Sequence, residues 1–155
     1  MVKTAIFPGT FDPFTLGHAS IVRRGLHLFD RIIIAVGINS EKKTMFSLDE
    51  RMNQVHACFK NEPRVVVCSY DGMTVDFARK ENAGFILRGV RTLGDFEYER
   101  LLSDVNHKIS DIDTVFLFTE PEYSSIQSNV VRELLKHNQD IEEFVPSAII
   151  ELLKK

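Results

Sequence analysis

The chain has no tryptophan, only two cysteines and five prolines in 155 residues, and no basic excess: 19 Lys and Arg stand against 22 Asp and Glu, for a formal net charge of -3. Each shortage removes a class of protein. Cys58, in a helical pattern, and Cys68, in a strand pattern, have neither metal-ligand spacing nor a disulfide framework around them. They are expected to be reduced, buried apolar side chains. The acidic balance lacks the footprint of a general nucleic-acid binder, although local Lys/Arg clusters can still hold small phosphates. No segment approaches the ~20 apolar residues of a membrane span. Met1-Val2-Lys3 runs straight into a strand pattern instead of a basic and then apolar leader, so the expected location is the cytoplasm. No Ser-His-Asp or Cys-His arrangement suggests a covalent nucleophile.

What is present is a rhythm. Strand-like runs at Thr4–Phe7, Arg31–Val36, Arg64–Cys68, Phe85–Leu87 and Thr114–Phe118 alternate with helix-period apolar residues. That pattern predicts an α/β fold: one doubly wound five-stranded parallel sheet, Rossmann-like, with C-terminal helices and a single domain over residues 1–155. Ile21, Val22, Leu26 and Phe29 form the stripe of a first helix. Ser47 and Glu50 make a capping box ahead of Leu48, Met52, Val55 and Phe59. Further helices are expected over Thr74–Lys80, over Leu93–Lys108, around Val130–Leu135, and at the C-terminus with Ser147 as its cap.

In doubly wound sheets ligands bind beyond the carboxyl ends of the strands, and every unusual polar cluster here lies just there. Gly9-Thr10-Phe11-Asp12-Pro13-Phe14-Thr15-Leu16-Gly17-His18 follows strand one. It brings a histidine to a helix start, where free N–H groups and the macrodipole favour phosphate. Asn39–Lys43, Asp71–Thr74, Arg88–Arg91 and Tyr123–Asn129 follow the other four strands. Arg88 and Arg91, flanking Gly89, read as two guanidiniums sharing an anion. Asp12, before a proline, reads as a turn initiator. Asp95–Arg100 reads as a solvated helix face, and His27, His56, His107 and His137 carry no ligand spacing.

GTFDPFTLGH contains Thr-x-Gly-His, which resembles the signature of the nucleotidylyltransferase superfamily. Together with Lys42-Lys43 before MFSLDER, FARKENAGFILRGVR and DFEYE, it resembles the bacterial phosphopantetheine adenylyltransferase family from end to end. The resemblance implies transfer of the adenylyl group of ATP to 4′-phosphopantetheine, giving dephospho-coenzyme A and pyrophosphate, with Mg2+, in a homohexamer inhibited by coenzyme A. By the same resemblance Thr10, Lys42, Thr74 and Arg88 fall at phosphopantetheine positions. Thr10, Phe11, His18, Gly89, Val90, Arg91, Glu99, Tyr123, Ser124, Ser125, Ile126, Gln127, Ser128 and Asn129 fall at ATP positions. His18 would stabilise the transition state, with Lys42 and Arg91 beside it; the metal's protein ligands are left open. No nucleic acid or membrane is implied as a partner.

One departure stands out. The family usually reads Ile-Ser-Ser-(Ser/Thr)-x-Val-(Arg/Lys)-Glu after strand five, and here Ile126-Gln127-Ser128-Asn129 opens that stretch. Asn129 would still cap the helix, whereas Gln127 is a longer side chain facing the expected triphosphate. Two alternatives stay open on the sequence: a nucleotidylyltransferase for another phosphate, such as nicotinate mononucleotide or glycerol phosphate, and a non-catalytic nucleotide- or coenzyme A-sensing module.

Overall fold

The computed structural model describes residues 1–155. Five strands, β1 (Thr4–Gly9), β2 (Arg31–Gly37), β3 (Val65–Tyr70), β4 (Phe85–Val90) and β5 (Asp113–Phe118), form one parallel sheet in the order β3-β2-β1-β4-β5. The order reverses between β1 and β4, so the switch point lies beyond Gly9 and Val90. Helices α1 (Leu16–Gly25), α2 (Leu48–Phe59), α3 (Thr74–Lys80), α4 (Leu93–Ser110), α5 (Ser128–Lys136) and α6 (Ser147–Leu153) provide the crossovers and the C-terminal cover.

Strand alternation divides the core in two. Ala5 and Phe7 of β1, with Ile32, Ile34 and Val36 of β2, meet Val22, Val55, Val131 and Ile149 of α1, α2, α5 and α6 on one face. Ile6, Ile33 and Ala35 meet Val75 and Phe77 of α3 on the other. The central strands are therefore apolar on both faces, as the unbroken Ile32-Ile33-Ile34-Ala35-Val36 run requires. Helix α4 buries no residue fully.

Several boundaries differ from the sequence reading. Arg88, Gly89 and Val90 do not follow β4 but belong to it, pairing with Phe116, Leu117 and Phe118. Charged and glycine residues hid a ladder that tertiary pairing extends. Helix α1 stops at Gly25, so Leu26 is its C-cap and Phe29 packs from beyond it. Ser147 is the first residue of α6, after Pro146, and makes no cap bond. Cys58 and Cys68 are free but only half-buried; burial nevertheless pushes the Cys58 thiol up to about 12.

Candidate active site

The turn after β1 is built around close approaches. A Cβ on Gly9 would lie 2.8 Å from the Phe11 ring, so glycine lets that ring fold back into the core. Phe11 itself has φ 52. Its ring sits 5.3 Å from Phe14 and 5.0 Å, edge-on, from His18.

Thr15 caps α1. Its hydroxyl accepts the His18 N–H, and the His18 ring returns the favour: Nδ1 accepts the Thr15 backbone N–H at 3.0 Å. A backbone N–H can only donate, so we assign the lone pair to Nδ1 and the proton of the neutral ring to Nε2. One ring edge remains open to the cleft, yet the ring is packed among Phe7, Phe11 and Phe14. That burial, followed by Arg88 and Arg91 in order of influence, lowers its pKa to about 3. His18 is therefore a fixed neutral N–H donor at neutral pH and not a general acid.

Two clefts open on the rim. The first, about 410 Å³, is lined by Thr10, His18, Lys42, Gly89, Arg91 and Arg132, with Ile126, Gln127, Ser128 and Asn129 at its α5 end. The second, about 420 Å³, is lined by Asn39, Tyr70, Thr74, Leu102 and Asn106. Thr10, Arg88 and Glu99 line both. Lys42 Nζ donates to Thr10 Oγ1 at 3.3 Å. The Thr74 hydroxyl is 3.0 Å from that of Tyr70.

Each of the two arginines has its own carboxylate from α4. Arg88 binds Glu99 through Nε and Nη2 at 2.9 and 2.5 Å and donates Nη1 to Pro8 O at 2.7 Å. Arg91 Nε lies 3.6 Å from Asp95 Oδ2. Asp95 and Glu99 are four residues apart, one turn of helix facing β4, so this part of the segment is not the plain solvated face expected.

The loop after β5 divides. Tyr123, Ser124 and Ser125 lie in and after a 3-10 turn, Pro121–Tyr123, and line neither cleft. Val90 is 1% exposed and lines neither cleft, and its carbonyl accepts the Thr119 N–H at 2.8 Å. Asn129 is not the helix cap: Gln127 occupies that position without a side-chain cap bond, while Asn129 Oδ1 accepts from the Val130 N–H. Ser128 Oγ donates to Pro13 O and ties α5 to the β1 turn.

Two residues escaped the sequence reading. Arg132 lines the first cleft and donates to Asp12 O at 2.8 Å. Arg51 is buried, and the signal for it was available: it falls on the apolar stripe of α2 between Leu48 and Val55, where a charge has to be accounted for.

Residues 6–134 match the cytidylyltransferase-like family model. The phosphopantetheine adenylyltransferase of Bacteroides fragilis is 49% identical over 148 residues, covering 96% of this chain and 99% of that protein. That of Flavobacterium johnsoniae is 51% identical over 148 residues, covering 96% and 97%. The match therefore spans the β1 turn, the β4 arginines and the α5 entrance together, and the chain belongs to the cytidylyltransferase-like family and, within it, to the phosphopantetheine adenylyltransferases.

Proposed function

We infer that the protein transfers the adenylyl group of ATP to the phosphate of 4′-phosphopantetheine, forming dephospho-coenzyme A and pyrophosphate. The carrying observation is the pair of clefts that meet at Thr10 and Arg88, room for two anionic substrates head to head. An oxygen of the acceptor phosphate attacks the α-phosphorus of ATP. The bond to the bridging oxygen breaks, and pyrophosphate departs with its electron pair. The acceptor is already anionic near neutral pH, so no base is needed; positioning and donors aimed at the developing charge carry the catalysis.

Thr10, Lys42, Thr74 and Arg88 hold the acceptor in this reading, His18 Nε2–H and Arg91 meet the charge gathering on the α-phosphate, and Gly89, Glu99 and residues 126–129 complete the ATP side. Tyr123, Ser124 and Ser125 reach ATP only if the turn shifts. Magnesium enters as part of the substrate, on the triphosphate. No cluster of three metal-ligating side chains is present. Of the cleft carboxylates, Asp12 accepts backbone N–H groups, Glu99 pairs with Arg88, and Asp95 lies against Arg91. Mg2+ keeps waters and takes phosphate oxygens readily, which suits such a site.

Coenzyme A, which joins a pantetheine arm to an adenosine phosphate, has the shape of an inhibitor for the joined clefts. Self-association into a homohexamer is supported by an uncovered stripe on α4, where Leu101, Val105 and Ile109 are all exposed and Leu93 is 82% exposed. No helix is long and apolar enough to cross a membrane, and free Cys58 and Cys68 suit a reducing cytoplasm.

Pyrophosphate release measured with ATP, Mg2+ and 4′-phosphopantetheine, each omitted in turn, tests the reaction. Release is expected only with all three. Equal turnover with pantetheine, nicotinate mononucleotide or glycerol phosphate as acceptor overturns the assignment.

A further inference from the structure

Residues 37–46 form a strap from the end of β2 to the Ser47 cap of α2, and they carry Lys42. Most of the strap is exposed, and a long lysine on an exposed loop samples many positions. Yet Lys42 Nζ is found 3.3 Å from Thr10 Oγ1. Something has to hold the strap and the β1 turn at a constant separation.

Both ends of the strap are pinned to one side chain. Arg51, 5% exposed, donates Nη1 to Gly37 O at 3.1 Å, where the strap begins, and Nε to Phe46 O at 3.2 Å, where it ends. The same Nη1 donates to Thr10 O at 2.8 Å, on the residue that Lys42 reaches. From the other side Asp12, 4% exposed, accepts the Met45 and Phe46 N–H groups on its two carboxylate oxygens at 2.8 and 2.9 Å. Burial lowers the Arg51 pKa, and the nearby Asp12 charge opposes that shift.

A buried cation is an expensive way to fill space, since an apolar side chain of similar volume often serves stability as well or better. What an apolar side chain cannot do is bind three carbonyls from two separate segments. The guanidinium can, because its donors are fixed in a fork.

We propose that Arg51, with Asp12 holding the same strap by its Met45 and Phe46 amides, is a positioning residue that sets the separation between Thr10 and Lys42 and so shapes the acceptor-phosphate end of the site. This rests on the reading that Thr10 and Lys42 hold the phosphate of 4′-phosphopantetheine. Lysine at position 51 would keep the charge but could not span the three carbonyls. Asparagine at position 12 would leave Arg51 intact and turn an amide N–H2 toward a backbone N–H.

Steady-state kinetics and calorimetry on Arg51→Lys and, separately, Asp12→Asn test the role from both sides. Each is expected to raise the KM for 4′-phosphopantetheine roughly 10-fold or more, the scale of one lost charged hydrogen bond, while the ATP KM stays within about 2-fold. In a Lys42→Ala background Arg51→Lys is expected to weaken acceptor binding much less than it does in the unaltered protein, because only Thr10 remains for it to position. In the unaltered protein, hydrogen exchange at the Met45 and Phe46 amides is expected to be slow. Equal losses for both substrates, additive effects with Lys42→Ala, or fast exchange at those amides overturns the proposal. Pyrophosphate release by the unaltered protein is read in the same assay, so a failure of the adenylyl-transfer reading shows there and a failure of the positioning role shows in the variants.

Discussion

His18 accepts the backbone N–H of Thr15 on Nδ1 at 3.0 Å, and this one bond decides what the histidine can do. It holds the ring to the cap of α1 and leaves the Nε2 proton for the cleft. Replacing His18 by Ala is therefore expected to lower kcat by roughly 10²–10³, the scale of a lost transition-state donor, with ATP affinity nearly unchanged. Calorimetric titration with ATP beside kinetics checks it. A variant that merely raised KM would show that His18 binds the ground state instead.

The lowered pKa has two consequences. In the ligand-free protein His18 is expected to show no ring titration by NMR between pH 8 and 5, since its pKa is about 3. In the unfolded chain a histidine titrates near 6.5, so below that pH the unfolded state takes up a proton that the folded state refuses. The contribution to stability is complete above about pH 6.5 and declines as the pH falls toward 3. Urea unfolding of the parent and of His18→Gln at pH 8 and pH 5 reads this directly: the parent should lose more stability on acidification. Equal losses would mean the ring is protonated in the fold.

The cations of the rim divide by element. Lys42 stands on the strap after β2 beside Thr10, whereas Arg91 follows β4 beside Asp95. Lys42→Ala is expected to weaken 4′-phosphopantetheine by about 10–100-fold, the range of a charged hydrogen bond, and Arg91→Ala to weaken ATP on a similar scale. Calorimetry of each variant with each substrate separates the two. Identical losses for both ligands would show that the clefts are not divided in this way.

How far these assignments could be read from the residues depended on how local the physics was. The capping box of Ser47 and Glu50, the span of α3 and the parallel sheet follow from short-range periodicity and cap chemistry, and all appear in the structure. The β1 turn was legible because a whole motif is contiguous. The partners of Arg88 and Arg91 were not, because Glu99 and Asp95 face β4 only once α4 is docked. Arg51 shows the same limit: its three carbonyls come from Thr10, Gly37 and Phe46, residues that only the folded sheet brings together. Asp12 was correctly read as structural at the turn, but its hold on Met45 and Phe46 is a long-range contact that no local pattern announces.

The entrance of α5 combines a family departure with an open helix end. Gln127 holds the N-cap position with extended backbone but makes no cap bond, and Asn129, the second helical residue, spends its side-chain oxygen on the adjacent Val130 N–H. Serine at position 127 can accept an orphan N–H of the first turn, which glutamine does poorly because its amide is carried on a longer chain. Gln127→Ser alone is therefore expected to stabilise the protein by up to about 1 kcal/mol, whereas Asn129→Ser, which replaces one short acceptor beside the Val130 N–H by another, is expected to leave stability nearly unchanged. Both residues line the first cleft, so the double replacement should shift ATP affinity by no more than about 1–1.5 kcal/mol, the net worth of one hydrogen bond, and leave 4′-phosphopantetheine affinity alone. Thermal unfolding of the single variants and calorimetry of the double variant check the two halves. If the unaltered protein bound no ATP and the double replacement restored turnover, adenylyl transfer would fail as the activity of this chain and a sensing module would take its place.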